Sequence, residues 1–166
     1  MTRSFKTQLA GQIGESLVVA ELGRRDIVAT SFSGNVPDID LLAYRDGKTL
    51  HLQVKAWRIG SVSVDATRFL DITIRNDIQT VNGPADGLDP TLIYVFVQIG
   101  ERLGDDRFFI LEQSTLQTVI QKSYQAFLDK HGGRRPRNTN TTHNAVTLEH
   151  LIPYQSNWGL IEQRFS

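Results

Sequence analysis

The chain has 166 residues, with 18 Lys+Arg against 18 Asp+Glu, no cysteine and 40% hydrophobic residues. That length suits one domain of about 100–200 residues with a buried core. A formal net charge of zero excludes binding nucleic acid through bulk charge, though not through a local basic patch, and the lack of cysteine excludes disulfides and thiolate metal sites.

No apolar run approaches ~18 residues, so no membrane span is expected. Residues 1–15 contain no apolar core of a signal peptide. The expectation is a soluble, cytoplasmic, single-domain protein spanning residues 1–166.

In chain order, Phe5, Leu9, Ile13, Leu17 and Ala20 recur at spacings of three and four, which predicts an amphipathic helix over 5–24. Gly11 and Gly14 weaken that helix by ~1 kcal/mol each, so glycine there implies a close neighbour. Residues 27–33 read as a short strand. Residues 38–44 and 49–56 read as two strands joined by Arg45-Asp46-Gly47-Lys48, and Asp-Gly is a strong hairpin signal. A further strand is expected over 69–75. Residues 76–90, with their Gly and Pro, read mostly as loop.

The near-continuous apolar run 92–99 suits a strand buried on both faces, and 107–112 follows as its hairpin partner. Ser114 or Thr115 is positioned to cap a helix reaching Lys130, with Leu116, Val119, Ile120, Tyr124 and Phe127 inward. His131-Gly132-Gly133 ends it. Residues 132–144 are polar and without periodicity, which reads as a loop or mobile segment. A short helix is expected over 147–151, and Trp158, Ile161 and Phe165 are expected to dock on the core. Helices flanking a set of strands predict an α/β fold with a central mixed β-sheet.

The chemistry-bearing stretch is Pro37-Asp38-Ile39-Asp40-Leu41-Leu42-Ala43, the turn, and then Leu50-His51-Leu52-Gln53-Val54-Lys55-Ala56. Strand alternation puts Asp38 and Asp40 on one face, and Gln53 and Lys55 on one face of the next strand. A carboxylate and an amide oxygen are hard ligands for Mg²⁺ or Mn²⁺, and an adjacent ammonium suits charge developing on a phosphate. His51 shares the Gln53 face, and Trp57 follows the strand; an exposed histidine and a structural aromatic are their plain readings.

This order resembles the PD-(D/E)XK nuclease superfamily, which includes restriction endonucleases and Holliday-junction resolvases. The match covers roughly residues 10–57. Pro37-Asp38-Ile39-Asp40 looks like the metal-binding aspartate strand, and Gln53-Val54-Lys55 looks like the E-x-K signature in its glutamine variant. Glu15 looks like the acidic residue that some branches add from the first helix. The resemblance implies a restriction endonuclease-like core and a Mg²⁺- or Mn²⁺-dependent endonuclease acting on DNA, with RNA left open. Asp40, Glu15, Gln53 and Asp38 would hold the metal, and Glu15, Asp40, Gln53 and Lys55 would carry catalysis. It also implies a homodimer or higher homo-oligomer.

Lys130, Arg134, Arg135 and Arg137 form the densest basic cluster and are candidate phosphate contacts. Glutamine in place of glutamate removes a charge and lowers metal affinity. A non-cleaving nucleic-acid-binding member of the same fold is therefore the first alternative. A protein-interaction domain with merely superficial acids is the second.

Overall fold

A computed structural model describes residues 3–32 and 38–166. The first helix, α1, runs Arg3–Gly23. Four strands follow: β1 (Val28–Ser31), β2 (Leu41–Arg45), β3 (Lys48–Trp57) and β4 (Val62–Asp65). A short 3-10 turn over Ala66–Arg68 leads into β5 (Leu70–Arg75) and β6 (Ile78–Pro84). Then come β7 (Ile93–Gln98), β8 (Arg107–Glu112), α2 (Gln113–Lys130) and β9 (His143–Val146). Two single-turn helices, α3 (Leu148–Leu151) and α4 (Gly159–Glu162), close the chain. No helix among the described residues is long and apolar enough to cross a membrane.

The central sheet has the order β1-β2-β3-β7-β8. Only β3 and β7 pair in parallel; the other neighbours are antiparallel. The sheet is therefore mixed, and helices cover both faces. Five consecutive buried residues of β7, Ile93 to Val97, split between them by alternation. Ile93, Val95 and Val97 join Leu52, Val54 and α1 residues Val18 and Leu22, together with the tail residues Trp158, Ile161 and Phe165. Tyr94 and Phe96 face the other way, against Leu116, Ile120, Tyr124 and Leu128 of α2. Each fully buried aliphatic or aromatic side chain contributes about 1.5–3 kcal/mol, so these two layers hold the sheet.

Two hairpins turn on paired left-handed residues. Asp46 and Gly47 have φ of 50° and 84° between β2 and β3. Asn76 and Asp77 have φ of 50° and 65° between β5 and β6. Both are the two-residue geometry that matches strand twist. The expected loop over 76–90 is thus corrected: its first half is β6, and Asn-Asp does the work that Asp-Gly does earlier. The β4–β9 pair was not anticipated either, because each strand has only four residues and β9 follows a polar stretch. The cap of α2 also differs. Glu112 occupies it without a side-chain bond, and neither Ser114 nor Thr115 does.

Residues 132–144 are folded rather than free. Gln79 is 3% exposed; its Nε2 donates to the Thr139 carbonyl at 2.5 Å and the Thr141 carbonyl at 3.0 Å, and the Tyr124 hydroxyl donates to its Oε1 at 2.5 Å. One buried amide thereby ties β6, α2 and this segment together. Replacing Tyr124 with Phe keeps the ring but orphans Gln79 Oε1. The expected loss is about 1–3 kcal/mol, read as a lower urea midpoint at unchanged slope.

Candidate active site

The site forms where β2 stops pairing with β3. Leu41 pairs with Leu52, and beyond it the Asp40 N–H still donates to the Leu52 carbonyl at 2.9 Å. The next inward-facing donor of β3, the Val54 N–H, has no strand partner on that side. The Asp40 carboxylate takes its place: Oδ2 accepts from Val54 N–H at 2.7 Å and from Gln53 Nε2 at 2.5 Å. A sheet edge that opens one residue early thus leaves a donor to be satisfied, and a carboxylate satisfies it in a charge-assisted bond. Asp40 Oδ1 and Gln53 Oε1 accept no hydrogen bond among the described residues.

Glu15 arrives from α1. An ideal Cβ on Gly14 would stand 2.3 Å from the Ala56 Cβ, so only glycine permits the helix to lie this close to β3. Gly11 has open space instead, which leaves the expectation of a close neighbour true of Gly14 alone. The Glu15 carboxyl is pushed above its ordinary pKa, first by burial and then by the Asp40 charge; a hydrogen bond with the Ser31 side chain opposes this. Two carboxyl groups from α1 and from the start of β2 are therefore near enough to repel.

The sign of that shift gives a pH-dependence. The folded state binds the Glu15 proton more tightly than the unfolded state does. This favours folding below the ordinary glutamate pKa and is lost as pH rises through the raised value. Glu15→Gln removes the loss. The melting temperature of the variant is expected to equal that of wild type near pH ~4 and to exceed it progressively toward neutrality. A difference independent of pH, in melts across that range, contradicts the assignment.

Asp38 is a correction. It lies outside β2, with a left-handed φ of 64°, so strand alternation does not carry it to the Asp40 face. It forms an ion pair with Arg68 instead. Both Arg68 and Asp40 act electrostatically on the buried Tyr94 hydroxyl, whose pKa is raised mainly by burial. Arg68 thus stands beside the carboxylates. Sequence reasoning missed it, since a lone arginine closing a 3-10 turn has no signature. Tyr94 was visible only as a core residue, although its parallel pairing with Gln53 brings it here.

Lys55 lies two residues along β3 on the Gln53 side and is partly buried. It makes no hydrogen bond or ion pair with the described residues. His51 is exposed, and Trp57 is buried and stacks on Phe109 at 6.1 Å between centroids, so both follow their plain structural readings. Pro37 lies outside the described residues.

The basic cluster divides. Arg135 packs over Tyr124 at 5.0 Å and Phe127 at 4.8 Å and donates to the His143 carbonyl at 2.6 Å, so it serves the fold. Arg134 pairs with Asp77 at 2.9 Å while remaining exposed. Lys130 and Arg137 are exposed.

Among the described residues, no group of three or more His, Asp or Glu is arranged to hold a metal ion. The available oxygen donors are two carboxylates, Asp40 and Glu15, with the Gln53 amide on the strand between β2 and β7. No protein-family model matches the chain, and no curated protein matches it significantly. Among solved structures, the chain is similar to a bacterial homing endonuclease, I-Ssp6803I. The identity is 16%, the TM-score is 0.53, and the match covers 95% of this chain and 94% of that one. At that identity the likeness is one of fold: a mixed α/β sheet flanked by helices, as found in a nuclease.

Proposed function

We propose that the chain is a divalent-metal-dependent endonuclease of the PD-(D/E)XK type that hydrolyses phosphodiester bonds in DNA. The observation that carries this is the Asp40 carboxylate, held in the sheet gap by Val54 N–H and Gln53 with Glu15 alongside. The fold likeness to a homing endonuclease supports it. A single domain over 1–166, assembly with further copies and a cytoplasmic location belong to the same reading.

The donors suit Mg²⁺ or Mn²⁺. All are hard oxygens, Asp40 Oδ1 accepts no hydrogen bond among the described residues, and a cation would relieve the Asp40 repulsion that, after burial, raises the Glu15 pKa. Asp40 and Glu15 would hold the ion, with Gln53 Oε1 as a neutral third donor. Bound there, the ion would supply a more acidic water and positive charge against the phosphate. Gln53 also acts through its Nε2, which fixes the Asp40 carboxylate. Lys55, without an ion pair among the described residues, orients the attacking water or stabilises the negative charge that develops on the non-bridging phosphate oxygens. Arg68 neutralises a non-bridging phosphate oxygen after exchanging Asp38 for substrate, and Asp38 holds it ready until then.

Incubation of the purified chain with supercoiled plasmid tests this reading. Nicked or linear DNA should form with Mg²⁺ or Mn²⁺ and not with excess EDTA. Binding without cleavage under every divalent ion would favour the non-cleaving alternative, to which the glutamine at position 53 already points.

A further inference from the structure

The β5–β6 hairpin follows almost directly on Arg68 in the chain. We propose that its outer face reads base edges in the major groove of duplex DNA. This rests on the nuclease reading for the identity of the ligand.

The hairpin has two different faces. Leu70, Ile72 and Val81 pack into the layer beneath α2, and Gln79 is locked to Tyr124. On the opposite face, Thr73 pairs with Thr80 and Arg75 with Ile78. These four residues and Asn82 line a hollow of about 310 Å³. Asn82 Nδ2 donates to Thr73 Oγ1 at 2.8 Å, and the Asn82 side-chain oxygen accepts no hydrogen bond among the described residues. Such a mixture of amide, hydroxyl, methyl and guanidinium groups is what base edges in the major groove call for: Arg for guanine, Asn for adenine, and Thr or an apolar group for the thymine methyl.

The ribbon is rigid because both ends are tied. At its base, Ala85 N–H donates to the Phe69 carbonyl at 2.9 Å, and Gln117 Nε2 donates to the same oxygen at 2.7 Å. At its tip, Asp77 accepts from Arg134 and from Thr139 Oγ1, each at 2.9 Å. Preorganised presentation of this kind avoids an ordering cost on binding. The cations complement a phosphate backbone along its length: Arg68 at the base, Arg75 on the face, and Arg134 with exposed Arg137 at the tip. The opposing charges are Asp71, on the outer side near the base, and Asp77 at the tip, which is already paired with Arg134.

Size fits as well. A two-stranded ribbon enters a B-form major groove about 12 Å wide. Six residues of β5 extend about 20 Å at the strand rise, or about six base pairs. The deep, narrow major groove of duplex RNA does not admit it.

Selection of the intact chain, in EDTA, on a library of randomised DNA duplexes tests the proposal without requiring cleavage. Wild type should enrich a motif. Asn82→Ala and Arg75→Ala should each relax a different position by about 5- to 150-fold, and Thr80→Val should do so without altering side-chain volume. Matched duplex RNA should not compete. Enrichment unchanged in all three variants, equal competition by RNA, or no duplex binding by wild type would overturn it. Failure of the wild type to cut any DNA, with the motif intact, would instead sink the nuclease reading alone.

Discussion

Asp40→Asn should reduce plasmid cleavage by at least about a hundredfold, since even residues that only support a metal ligand cost 10–100-fold when removed. Asparagine keeps one carbonyl oxygen and nearly the same volume. Its oxygen can still accept from Val54 N–H or Gln53 Nε2, so the sheet edge remains satisfied. What it lacks is the negative charge that, in the proposed site, would hold a cation beside Glu15. Stability should therefore move little in Asp40→Asn. In Asp40→Ala the buried Val54 N–H and Gln53 amide lose their acceptor, and the protein should lose about 1–3 kcal/mol. This split separates chemistry from folding: an Asn variant that melts like wild type and cannot cut is the signature expected. A second consequence concerns Glu15. With the Asp40 charge gone, its pKa should fall toward the ordinary value, and the pH-dependence of stability should shrink with it.

Gly14→Val should be the most damaging single change outside the carboxylates. The Cβ it introduces meets the Ala56 Cβ at 2.3 Å, and Ala56 belongs to the strand that carries Gln53 and Lys55. Neither backbone can yield without moving the other element. Overpacking of this kind costs about 1–3 kcal/mol. The functional cost should be larger if Glu15 acts as proposed: α1 shifts, and Glu15 with it, and a displacement of about 1 Å at a catalytic group can cost a hundredfold in rate. Ala56→Gly removes the opposing methyl and should restore part of both stability and cleavage in the double variant. Absence of any coupling between the two positions, in a double-mutant cycle, would show that the helix–strand approach is not what the glycine secures.

Gly14 also shows what the sequence makes legible. A glycine inside a periodic helix, next to an acidic residue, announces a close approach, and the structure supplies the strand. The Asp46-Gly47 turn, the β7 run and the docking of Trp158, Ile161 and Phe165 are readable for similar reasons, since each follows from local pattern. Features that depend on distant pairing are not. The β4–β9 strands are stabilised by one another rather than by their own composition. Asn76-Asp77 looks like part of a loop because its turn geometry is decided by the strands on either side. Asp38 reads as a continuation of the strand of Asp40, yet its left-handed backbone carries it to Arg68. Arg135 looks like a phosphate ligand in a polar stretch; only the tertiary fold brings Tyr124 and Phe127 beneath its guanidinium. Within the site, the motif residues are legible one by one, whereas the bond from Gln53 to Asp40 and the presence of Arg68 require three dimensions.

A divalent ion held jointly by Asp40 and Glu15 is the premise on which cleavage depends. Electron paramagnetic resonance of Mn²⁺ titrated into the purified chain with duplex DNA tests it directly. Loss of the free-ion signal should saturate with wild type, weaken in Glu15→Gln and disappear in Asp40→Asn. Equal Mn²⁺ uptake by wild type and Asp40→Asn would contradict it.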